Sequence, residues 1–149
     1  MSYLPCELHC HTIHSDGDFT VSELQKAAAD DHLAIIALTD HNTFSGWDEL
    51  DDNIIPAIRG IEWTTYFGHM LVLGANDFVD WRDAQPDNID EKIKQVKAVG
   101  GIVGIAHPYQ LGSPLCTGGR WEFNVRDWRN VDYIEVWHQN LYSAKRENE

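Results

Sequence analysis

The chain has 149 residues, and 43 % of them are hydrophobic, which suits one folded domain with a core of its own. Its 24 acids outweigh 11 bases, for a net charge of −13, so a surface that tracks nucleic acid or anionic lipid is a poor fit. The odd count of three cysteines excludes a complete disulfide framework and points to a reducing cytoplasm, and no segment has the signature of a leader peptide or a membrane span.

Leu4 to Cys10 reads as a short strand that ends in the polar cluster His9-Cys10-His11. Alternate residues of a strand share a face, so both imidazoles can reach one ion while Cys10 turns away. Ser15-Asp16-Gly17-Asp18 is turn chemistry, and Asp16 can return a carboxylate to the same rim. Thr20 with Glu23 forms a capping box for a helix running to about His32.

Leu33 to Leu38 is a continuous apolar run, expected as a strand buried on both faces, and Thr39-Asp40-His41-Asn42 closes it. His41 is a natural ligand there. Asp40 either orients an imidazole or caps the following turn. A third strand, Ile54 to Ile61, ends at Glu62, and a fourth, Met70 to Leu73, starts just after His69. Asp87 or Asp90 can cap a helix that presents Ile89, Ile93 and Val96 on one side and stops at Gly100-Gly101. Ile102 to Ala106 is a fifth strand leading to His107-Pro108. A long loop bearing Arg120, Trp121 and Phe123 follows, then a sixth strand, Tyr133 to Trp137.

Strand and helix alternating in this rhythm predict a parallel α/β sheet or barrel, with reactive groups at the carboxyl ends of the strands. The polar clusters His9/His11, Asp40/His41, Glu62, His107 and Glu135/His138 fall at such ends. Taken together, His9, His11, Asp16, His41, Glu62, His69 and His107 are candidate ligands. Imidazole with carboxylate suits Zn, Mn or Fe. Their number exceeds the four that one tetrahedral ion needs, so more than one ion is the simpler account. His14 and His138 are candidates to hold a proton for a leaving group. Arg120 is a candidate to grip a phosphate bidentately, or else a solvated loop cation.

Four ordered motifs carry a resemblance: Glu-Leu-His-Cys-His-Thr-Ile-His-Ser-Asp-Gly (7–17), Ala-Leu-Thr-Asp-His-Asn-Thr (37–43), Arg-Gly-Ile-Glu (59–62) with Gly68-His69, and Ile-Ala-His-Pro (105–108). In these the chain resembles the PHP family, the polymerase and histidinol phosphatase superfamily. The resemblance implies a distorted (β/α)7 TIM-like barrel around a di- or trinuclear centre of divalent transition metals. By matching position it makes His9 and His11 first-metal ligands, Glu62 the bridging carboxylate, His69 and His107 second-metal ligands, and Asp16 with His41 the third site. It implies hydrolysis of phosphomonoesters, nucleotides or short oligonucleotides. The stretch Glu62 to His69, with Glu135-Val-Trp-His, most resembles a branch that also contains carbamate and amide hydrolases, which leaves amide or carbamate hydrolysis as one alternative; a module that binds metal without turnover is a second, permitted by the absence of the family's last motif. The family's last motif, an Asp-x-His, is missing. Residues 1–149 are therefore expected to be a single domain truncated on its C-terminal side, with the barrel completed by further sequence or by another chain.

Overall fold

The computed structural model describes residues 3–110 and 119–136. Six strands among these residues form one sheet in sequence order: β1 (Cys6–Cys10), β2 (Ile35–Leu38), β3 (Ala57–Thr65), β4 (Gly68–Leu73), β5 (Ile102–Ile105) and β6 (Tyr133–Ile134). Helix α1 (Val21–Asp30) connects β1 to β2, and α2 (Ile89–Ala98) precedes β5. The expected capping box is present, with Thr20 and Glu23 satisfying each other's backbone amides. Asn88, and neither Asp87 nor Asp90, occupies the N-cap of α2. Asp90 instead accepts the amides of Arg126 and Asp127.

The sheet is not the all-parallel one expected. β1, β2 and β3 pair in parallel, and β5 with β6, but β4 is antiparallel to both neighbours. The cause is local: Tyr66-Phe67 turns the chain straight back from β3 into β4, and a two-residue hairpin can only join antiparallel strands. β3 also continues through Glu62 to Thr65 instead of ending there. The reversal places the start of β4 beside the end of β3, so His69 shares a rim with Glu62.

Alternation along β3 and β4 divides the interior. Ile61, Trp63, Met70 and Val72 face outward and pack with Val103 against Ile89, Ile93 and Val96 of α2. Leu71 and Leu73 face the other way, with Ala37 and Ala106, and Ile58 and Tyr133 pack on them. Gly104 is required at this point, because a Cβ there would lie 2.2 Å from Tyr133 Cζ. The sheet curls: the side chains of His9 on β1 and Glu135 just after β6, at opposite ends of the strand order, are 2.8 Å apart. The result is an α/β fold with a half-barrel sheet. No helix among the described residues is long and apolar enough to cross a membrane.

Candidate metal centre

The concave rim converges on one carboxylate. Glu62 is fully buried, and five imidazoles surround it. His9 Nε2, His11 Nε2 and His41 Nδ1 lie 3.1, 3.2 and 2.9 Å from Oε2. His69 Nδ1 and His107 Nε2 lie 2.9 and 3.1 Å from Oε1. Each arrives from a different stretch of chain. His9 and His11 straddle the end of β1, while Cys10 between them packs outward on Ala28, Ile36 and Ile55. His41 follows β2 and is held by Asn42, whose amide bonds Thr64 at both N–H and carbonyl. Asn42 adopts φ +52°, a conformation that asparagine tolerates better than most residues. His69 opens β4, and His107 follows β5.

Asp16 stands at the exposed lip, 3.6 Å from His11 Nδ1 and 3.5 Å from His41 Nε2. Three sets of donor atoms are each close enough to share an ion: His9, Glu62 and His107; His11, Asp16 and His41; and His41, Glu62 and His69. The grouping differs from the one that the resemblance implies. His9 is grouped with His107, and His11 with Asp16 and His41.

The electrostatics fit a cation site. Burial alone would push the Glu62 carboxyl up, but the imidazoles of His107, His11, His41 and His69 beside it reverse this and hold it far below the usual carboxylate range. Burial likewise opposes charge on His9, yet Glu135 and Glu62 raise it to about 10. His41 is raised against burial by Glu62. The pocket thus favours positive charge at its centre, and His69 Nε2 is buried with no hydrogen-bond partner. A donor set of imidazole with carboxylate around a buried anion fits a divalent cation.

Asp40 reaches the His11 imidazole through Ser15, whose Oγ lies 3.4 Å from His11 Nδ1, rather than capping its own turn. It accepts hydrogen bonds from Thr12 N, Thr12 Oγ1 and Ser15 Oγ at 2.7, 2.8 and 2.7 Å, bracing the loop that carries His11 and Asp16. His14 turns from the five rings. Its Nε2 is 2.8 Å from Glu49 and its Nδ1 2.9 Å from Ser45 Oγ. Arg120 is exposed and follows Gly119, whose carbonyl lies 3.4 Å from His107 Nδ1. Phe123 is a core residue, and Trp121 packs beside it under Gly68. His138 lies outside the described residues. Glu135, marked in the sequence only as part of a rim cluster, touches both His9 and His107. The signal for it was its place in the rim cluster with His138, although the expected strand ran on to Trp137 and the observed one ends at Ile134.

The PHP domain profile matches residues 7–103. The chain belongs to the PHP domain family. It is 28 % identical over 109 residues to the uncharacterized protein MJ1295 of Methanocaldococcus jannaschii, covering 73 % of this chain and 48 % of that one. Its fold is similar to that of a Bacteroides vulgatus two-domain protein containing a predicted PHP-like metal-dependent phosphoesterase (TM-score 0.68, 22 % identity, 89 % of this chain and 44 % of that one). Its fold is also similar to that of a putative metal-dependent phosphoesterase from Bifidobacterium adolescentis (TM-score 0.59, 19 % identity, 98 % of this chain and 82 % of that one). The chain thus spans about half the length of MJ1295 and of the Bacteroides protein.

Proposed function

We propose that this chain supplies the metal-binding rim of a hydrolase acting on small phosphoesters. The observation that carries the reading is the convergence of five imidazoles from separate chain segments on the buried Glu62 carboxylate. Bound divalent cations would supply a water acidified toward pKa about 7 and neutralise charge on the phosphoryl oxygens. The residues that would hold them are His9, Glu62 and His107 at one position and His41 at another, either with Glu62 and His69 or with His11 and Asp16, since a neutral imidazole offers one lone pair.

The chain's own contribution is arrangement. Glu62 belongs to two of the sets, and its backbone is held by pairing on both sides. Asp40 keeps the His11 and Asp16 loop folded toward the rim. Asp16, exposed, marks the solvent side from which substrate enters. The exposed Arg120 would donate to a phosphate bidentately. The net charge of −13 favours a small substrate over a polynucleotide. The test is metal analysis of the purified full-length protein, together with p-nitrophenyl phosphate turnover in Mn. At least two equivalents of transition metal, and activity lost to chelator and restored by Mn, are expected. Less than one equivalent with chelator-insensitive turnover would overturn the proposal.

A further inference from the structure

Glu135 leaves the short edge strand β6 with its side chain almost buried, 14 % exposed. Its two carboxylate oxygens do different work. Oε1 lies 2.8 Å from His9 Nδ1, and Oε2 accepts the His107 backbone N–H at 2.9 Å. With the proton held on Nδ1, His9 turns Nε2 inward toward Glu62. The His107 backbone adopts φ +27°, which a non-glycine residue holds only against steric cost, and the Glu135 hydrogen bond anchors its amide there. One carboxylate, carried just past the end strand β6, therefore spans two residues of a single donor set, His9 on β1 and His107 after β5.

We propose that Glu135 is a positioning residue for the metal centre, fixing the tautomer of His9 and the turn at His107 so that both present their inner nitrogens to one ion. This rests on reading the cluster as a metal centre. Carboxylates that hold ligating imidazoles are worth about 10–100-fold in metal affinity. Glu135→Gln preserves shape but puts an NH2 group against either the His9 Nδ1–H or the His107 N–H, donor facing donor. Glu135→Asp keeps the charge and shortens the reach. Tyr133→Phe perturbs β6 without touching the carboxylate.

The experiment is calorimetric titration of chelator-stripped full-length protein with Co(II), with stoichiometry read from the same curves. Glu135→Gln is expected to weaken the tightest site about 10–100-fold at unchanged stoichiometry. Glu135→Asp weakens it less and carries the test if the glutamine variant does not fold. Tyr133→Phe leaves it unchanged. Unaltered affinity in both Glu135 variants overturns the proposal, as does an equal loss in Tyr133→Phe. Loss of a whole equivalent would make Glu135 a ligand instead and also overturns it. A wild type that takes up no Co(II) refutes the metal-centre reading itself. Wild-type uptake with unaffected Glu135 variants refutes this inference alone.

Discussion

Replacing Glu62 by Gln tests the centre at its most loaded point. The substitution keeps size and shape but removes the buried charge that five imidazoles face. Removing one partner of a buried, hydrogen-bonded charge pair costs about 3–5 kcal/mol. At about 2–4 °C per kcal/mol for a domain of this size, the metal-free variant should melt about 6–20 °C below wild type. Metal adds a second, separable loss. A ligand at about 1,000 times its dissociation constant stabilises the folded state by about 4 kcal/mol, and a variant lacking the shared carboxylate forfeits most of this. Thermal melts of both proteins, with chelator and with excess Mn, read the two effects apart, and metal content provides the check. A variant that melts with wild type in chelator and gains the same stabilisation from Mn would refute the assignment of Glu62 as the centre's shared anion.

Three further outcomes follow from other contacts. Asp40→Ala removes three hydrogen bonds from a carboxylate only 2 % exposed, so unfolding free energy should drop by about 2–4 kcal/mol in denaturant melts; an unchanged midpoint would contradict the bracing role. Gly68→Ala places a Cβ 2.9 Å from Trp121 Cε3 at a φ of +144°, and is expected to destabilise by about 1–3 kcal/mol, with stability equal to wild type as the refuting result. In metal-free protein, His9 is raised from 6.5 to about 10, so the stability it contributes is fully present below pH 6.5 and is lost as pH rises through 10. Melts in chelator from pH 6 to pH 10.5 should show that decline, and a flat profile would count against the buried His9–Glu135 contact.

Much of the site was legible because its signals are short-range. His9-Cys10-His11 on a period-2 strand separates the imidazoles from the cysteine whatever surrounds them, and Thr20 with Glu23 needs only its own helix turn. The local cap expected of Asp40 failed because its partners, Thr12 and Ser15, lie more than twenty residues away along the chain. Glu135 was underweighted for the same reason: its role depends on β6 meeting β1, which no local pattern encodes. The reversed β4 was missed because a continuous apolar strand reads the same in either direction. The grouping of ligands by ion likewise depends on distances between segments.

The amino-acid order on its own determined which side chains could hold cations and that they would cluster at strand ends, since periodicity and turn chemistry act within a few residues. Which imidazoles come within reach of one another, which carboxylates face them and how the sheet curls to close the rim were decided only by tertiary structure. Those properties come from contacts between residues far apart in the chain, and the geometry of such contacts exists only once the strands have paired.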